Sequence, residues 1–303
     1  MFEIVKNTKI DFIGKKYITV LVSGTFILLS IIAIVQISTG KANLGIDFVG
    51  GTTIQVRFDK AVSLQNVRSA LDQGGQQDVE LQDIPAENKV LIKTKKTDAD
   101  LNTVAEGITT ALRQHLSGND FTVDATTAIG PKVGSRLRRD AAMAIIMAAI
   151  GILIYIAFRF HFQFGIGATL ATFHDVLAVL AIFYIMGKEI NLIVVSALLT
   201  IAGYSLTDTV VVYDRIRENL RVRVKEPVKN VINVSLNEVL SRTIITSITT
   251  FLAASALFFL GGEVIHDFAF AIMMGIIIGT YSSIFVASPV LLLWKAKRPF
   301  AKK

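Results

Sequence analysis

Six stretches of the chain run on with almost no charge: residues 17–37, 141–158, 164–186, 190–212, 239–260 and 268–294. A bilayer core is crossed by roughly 20 apolar helical residues, so each stretch predicts a spanning helix. Residues 38–140 keep a different rhythm. Ile54, Val56 and Phe58 alternate with Thr53, Gln55 and Arg57, the pattern of a half-buried strand. Ser63 is placed to cap a helix that carries Leu64, Val67, Ala70 and Leu71 on one face. Val79 and Leu81 begin a second strand, Pro85–Asn88 reads as a turn, and Lys89–Lys95 as a third strand. Asp98 is placed to cap a longer helix with Leu101, Val104, Ala105, Ile108 and Leu112 at helical spacing. Phe121, Val123 and Ala125 alternate in a fourth strand. The order β-α-β-β-α-β predicts a ferredoxin-like split βαβ domain. The predicted fold class is a membrane-embedded all-α six-helix bundle with an inserted α+β ferredoxin-like domain.

Charge adds orientation. The net charge is +7, and the basic residues flank the apolar runs, which points to membrane topology rather than nucleic acid. Lys6, Lys9, Lys15 and Lys16 precede the first span. Arg215, Arg217, Arg221, Arg223, Lys225 and Lys229 lie between the fourth and fifth. Lys295, Lys297, Arg298, Lys302 and Lys303 follow the sixth. Positive charge favours the cytoplasm, so both termini (1–16 and 295–303) and the basic loop 213–238 are expected there, together with the turn Arg159–Gln163. The insert 38–140 is then periplasmic. Arg136, Arg138 and Arg139 sit on the other side, at the end of a loop too long for the rule to have force. The first span is read as an uncleaved anchor, because it is long and Gln36–Gly40 lacks a small-x-small cleavage pattern. The protein is expected in the inner membrane as a multi-pass chain.

The chain has no cysteine, and its four histidines show no metal-ligand spacing. No phosphate-binding loop and no nucleophile–base pair appears. Neither an enzyme nor a cofactor or metal site is predicted, and the insert is expected to serve as a contact surface or a folded spacer.

Polar side chains inside a span are costly, about 2.5–3.5 kcal/mol each at a helix centre for charged groups, so those present need partners or a task. The fourth span carries Ser196, Thr200, Gly203, Tyr204, Thr207 and Asp208 on roughly one face. The fifth carries a stripe of Arg242, Thr246, Thr249 and Thr250, with Thr243 and Ser247 beside it. Asp208 and Arg242 lie at matching depth in consecutive antiparallel helices and could meet. They could form a static ion pair, or Asp208 could take and release a proton under the influence of Arg242. His174 and Asp175 fall near the middle of the third span, as interhelical hydrogen-bond partners or members of a proton path. Gly275, Gly279 and Ser283 make a small-residue face for close helix packing. Phe158, Phe160, Phe162 and Phe164 read as an interfacial belt.

Several of these residues fall within longer motifs. Gly45-Ile-Asp-Phe-Val-Gly-Gly51, with Asp47, Phe48, Gly50 and Gly51, follows the first span. Gly130-Pro131-Lys-Val-Gly134 precedes the second. Gly203 to Asn219 carries Asp208, Asp214, Arg215, Arg217 and Glu218, and Leu240 to Ser247 opens the fifth span. Together these resemble the SecD/SecF family of protein-export subunits, within the resistance-nodulation-division superfamily, over about Phe12 to Trp294. The long fourth-span motif is the most specific part. Many family members carry Asn where this chain has Thr207, which removes an amide next to Asp208.

The resemblance implies a membrane subunit that pairs with SecD and works beside the Sec channel, SecYEG, on translocating unfolded polypeptide. It also implies use of the proton motive force, with Asp208 and Arg242 matching the residues tied to proton conduction. His174, Asp175, Thr200, Tyr204, Thr207 and Thr246 are the candidates for a surrounding polar network. Membrane lipid is the remaining expected partner. The alternatives are a passive scaffold in the same complex, or a small-molecule exporter of the same superfamily.

Overall fold

The computed structural model describes residues 8–84, 87–95, 101–116, 118–160 and 162–293. The expected Asp98 cap, Pro85 of the turn, His161, Lys6, Trp294 and the basic tail lie outside these residues. The chain forms two compact units. One comprises Met1–Asn43, Ala144–Lys188 and Ile193–Lys303, and the other Leu44–Met143 with Glu189–Leu192.

The second unit opens with a short helix, α2 (Ile46–Val49), after the long α1 (Lys16–Ser38) of the first. It continues as β1 (Gly51–Phe58), α3 (Leu64–Gln73), β2 (Val79–Ile84), β3 (Lys89–Thr94), α4 (Leu101–His115) and β4 (Phe121–Ile129). The sheet order is β2-β3-β1-β4, with each neighbouring pair antiparallel. That is the split βαβ arrangement the sequence predicts. Ser63 caps α3 by accepting from Asn66 N at 3.2 Å. Ile54, Val56, Phe58, Val67, Leu71, Ile92, Ile108 and Leu112 fill the core between sheet and helices. β4 departs from expectation: Val123 and Ala125 are exposed rather than alternating into the core. A bulge between Gln55 and Val56 breaks the register, and β4 is an edge strand that only Phe121 ties to the core. The two glycines that open β1 have φ of +85° and +143°, which side chains disfavour.

The remaining helices are α5 (Pro131–Arg159), α6 (Phe162–Ile185), α7 (Leu192–Val222), α8 (Val228–Leu260) and α9 (Glu263–Ser282). A π-turn, Ser283–Ala287, follows α9 and leads into α10 (Ser288–Val290). With α1, the helices α5 to α9 give six that are long and apolar enough to span a membrane. α6 lies inside the first unit, with Phe164, Ala168, Ala171, Ala178 and Phe183 all buried. Its alanines let neighbouring helices approach closely.

Three expectations change. The segment 213–238, read as a loop, is mostly helix, since α7 runs to Val222 and α8 starts at Val228. α5 likewise begins ten residues ahead of the apolar run 141–158. Hydropathy marks the part of a helix that faces lipid, and these helices continue beyond it with charged residues. The aromatic belt is only half present: Phe158 is 90% exposed and Phe162 77%, whereas Phe160 and Phe164 are buried. The buried pair packs on Tyr213, with ring centroids 6.0 and 5.1 Å away.

Candidate functional site

Asp208 projects from α7 toward α8 and the π-turn. Thr243 Oγ1 donates to its Oδ1 at 2.9 Å, and Ser283 Oγ donates to its Oδ2 at 2.5 Å. Arg242 forms no ion pair with it among the described residues, although the guanidinium charge acts on the carboxylate through space. The direct meeting of Asp208 and Arg242 is therefore replaced by Thr243, the next residue along. One helical step turns a side chain by about 100°. That step carries Thr243 into the interior and leaves Arg242 exposed.

A second carboxylate lies in the middle of α6. Asp175 is completely buried, and its Oδ2 accepts from Ser205 of α7 and from Ser282 of α9, the latter at 2.7 Å. His174 Nδ1 lies 2.9 Å from its Oδ1. His174 Nε2 is buried with no partner among the described residues. Asp175 therefore joins three helices. The small-residue face of α9 brings it this close: a Cβ on Gly275 would fall 2.4 Å from Ile201, and one on Gly279 3.3 Å from Ser205.

The rest of the expected polar network does not gather inside this chain. Thr200, Thr207 and Thr246 are exposed, and their hydroxyls bond back to Ser196, Gly203 and Arg242 carbonyls on their own helices. Tyr204 is half-buried and Gly203 exposed. Sequence reading gave these residues a shared face, and they do share one, but it points outward. Ser205 and Ser282 were missed as site residues. A serine at 205, three residues before Asp208 in an apolar helix, was the signal available.

The lower part of the fourth-span motif builds a polar clasp. Arg215 bonds Glu238 at 2.7 Å and Glu218 at 2.6 Å. Asn219 bonds Ser235 at 3.0 Å and Glu238 at 2.6 Å, and Asp214 pairs with Arg159. Arg217 is half-buried and forms no ion pair among the described residues. Within the other unit, Asp47 accepts from Leu192 N at 3.0 Å. Phe48 is buried beneath the α2 turn, and Gly130 leads directly into Pro131, the first residue of α5. Gly134 stands flush against Gly50, where a Cβ would fall 2.9 Å from the Gly50 nitrogen. The two glycine motifs, distant in sequence, thus explain one another by contact.

These features define a polytopic membrane protein with polar groups held inside its helices. Comparison with known proteins names the group. The family described as SecD/SecF GG Motif matches residues 37–62, and that described as Protein export membrane protein SecD/SecF, C-terminal, matches residues 108–297. The chain is 58% identical over 97% of its length to the protein translocase subunit SecF of Thermodesulfovibrio yellowstonii, of which it covers 97%. It is 44% identical to that of Calditerrivibrio nitroreducens, with 98% of each covered. A solved structure of SecDF, a translocon-associated membrane protein from Thermus thermophilus, superposes with a TM-score of 0.80 at 36% identity. That match covers 96% of this chain, which spans only 39% of the solved one. The chain belongs to the SecF family of protein translocase subunits and is a multi-pass inner-membrane protein.

Proposed function

We propose that this chain pairs with SecD and uses the proton motive force to promote polypeptide translocation at the Sec channel, SecYEG, with Asp208 as the group that takes and releases the proton. The observation that carries this reading is the manner in which Asp208 is held. Two hydroxyls satisfy it, and among the described residues no cation pairs with it. A hydroxyl both donates and accepts, so Thr243 and Ser283 can serve the charged and the neutral carboxyl alike. A static ion pair would instead lock the charged form. Arg242, which forms no ion pair among the described residues, supplies a positive field that would change with a shift of α7 against α8. A unit charge crossing the membrane potential gains about 2.3 kcal/mol per 100 mV, enough to bias two conformations of the chain.

Two observations support the partner. Arg242 is exposed within the spanning part of α8, and a charged side chain there is costly against lipid unless a second polar surface covers it. The solved SecDF chain is more than twice the length of the matched region. Both termini are assigned to the cytoplasm and the insert to the periplasm, where it contacts the emerging polypeptide.

Asp208→Asn tests the proposal. Proton-dependent export should fall by at least tenfold, with protein level and SecD association unchanged. Normal export would leave this chain a passive scaffold.

A further inference from the structure

Ser282 and Ser283 are neighbours in sequence at the point where α9 becomes the π-turn, and each holds a different carboxylate. Ser282 Oγ reaches Asp175 at 2.7 Å and Ser283 Oγ reaches Asp208 at 2.5 Å. The same two carboxylates are tied on α7, where Ser205 bonds Asp175 and Asp208 follows three residues later, one turn along. Behind each of these two serines stands a backbone carbonyl, Gly279 O at 3.1 Å from Ser282 and Thr280 O at 3.1 Å from Ser283. A serine hydroxyl carries one proton. It can give that proton to an ionised carboxylate, or turn it to the carbonyl and accept from a protonated one. Either charge state of Asp175 can therefore be met by the same serine.

Asp175 is otherwise hard to account for as packing alone. It is wholly buried in a span, and among the described residues no cation from another helix pairs with it. The groups that face this region are His174 on its own helix, Tyr281 on α9 and Asp208 on α7. The His174 and Tyr281 rings are 6.1 Å apart. The Tyr281 hydroxyl is engaged by Ser23 and by the Thr19 carbonyl on α1. His174 Nε2 lies buried beside the pair with no partner among the described residues. The π-turn places Ser283 at a helical irregularity of the kind frequent at functional sites.

We propose that Asp175 is a second proton-binding carboxylate of the translocation cycle, coupled to Asp208 through the adjacent hydroxyls of Ser282 and Ser283. This rests on the reading of Asp208 as the titrating group. When Asp175 binds a proton, its Oδ2 changes from acceptor to donor. Ser282 turns to Gly279 O, and the neighbouring Ser283 shifts against Asp208. The coupling is by position, because the two serine hydroxyls do not bond each other.

The test is an infrared pH titration of carboxyl groups in the full chain with SecD in lipid vesicles, for wild type, Asp175→Asn, Asp208→Asn and Ser282→Ala. Two buried carboxyl bands should titrate in wild type, and each Asn variant should lose one. In Asp175→Asn the surviving Asp208 band should move its midpoint by about one pH unit, the size at which two sites titrate as a coupled pair. Ser282→Ala keeps both carboxylates, guards against misfolding of the Asn variant, and should reproduce part of that shift. An Asp175 band that never titrates, or an Asp208 midpoint unmoved in Asp175→Asn and Ser282→Ala, overturns the inference. Export assays on Asp208→Asn separate this outcome from failure of the functional reading. Loss of export there, with an unmoved midpoint, removes Asp175 alone from the cycle.

Discussion

The hydroxyl of Tyr213 donates to the Ala287 carbonyl at 2.8 Å, deep in the first unit. A π-turn and the proline at 289, which lacks an N–H, leave the helical hydrogen bonding here incomplete. Ser288 Oγ bonds the Ser283 carbonyl at 2.9 Å, and Tyr213 takes Ala287. Gly167 makes room, because a Cβ there would lie 2.1 Å from the tyrosine oxygen. Tyr213→Phe strands a buried acceptor and should cost about 1–3 kcal/mol of stability. Thermal unfolding of the purified chain in detergent reads that loss, and an unchanged midpoint would refute the role given to the hydroxyl.

At the start of β1, Gly51 has a φ of +143°, and a Cβ would fall 2.2 Å from the Thr94 carbonyl. Gly51→Ala meets both a disfavoured backbone and a clash with a neighbouring strand. The strained backbone alone costs about 1–3 kcal/mol. Amide exchange along β1 and β3 should accelerate, while α8 and α9 keep their protection.

Asn237 clasps the N-terminal segment by binding both main-chain groups of Ile10, the N–H and the carbonyl, each at 3.0 Å. Asn233, one turn earlier, accepts from Phe12 N and Ile13 N. Asn237→Ala should release residues 8–10 while leaving Asp11, Phe12 and Ile13 held through Asn233. Faster exchange at Ile10 with little change at Ile13 is the expected pattern, and uniform loss across the segment would contradict it.

The sheet carries its own pH dependence. Arg57 donates to Asp124 at 2.7 Å and holds its carboxyl below the ordinary 3.8, with Lys89 adding to the effect. A lowered carboxylate stabilises the fold above its unfolded value, and the contribution disappears as pH falls through the folded one. Glu87, and then Asp124, raise Lys89 above 10.5, so its contribution is full below that value and fades at still higher pH. Protection of β1 and β4 should therefore stay flat through neutral pH and weaken only below about pH 4. Asp124→Asn should remove that acid-side slope.

How far the sequence reached is clear from particular residues. The six apolar runs and the β-α-β-β-α-β order were legible because lipid contact and strand alternation leave direct periodic traces. The Ser63 cap was legible because capping is local. The charged halves of α7 and α8 were not, since hydropathy falls silent where a helix leaves lipid. Depth along α8 was legible too, but not rotation about it, so Arg242 stood where Thr243 belongs. Ser205 and Ser282 escaped because an isolated serine in an apolar run looks the same whether it bonds its own helix or a neighbour's carboxylate.

α7 and α8 have 31 and 33 residues. At about 1.5 Å per residue they extend to roughly 46 and 50 Å, against a hydrocarbon layer near 30 Å. About 16 Å of α7 and about 20 Å of α8 thus exceed that thickness, and the two are fastened together by Arg215, Asn219, Ser235 and Glu238. By geometry alone, a tilt of this pair about Asp208 displaces its far end more than the side chains packed around the carboxylate.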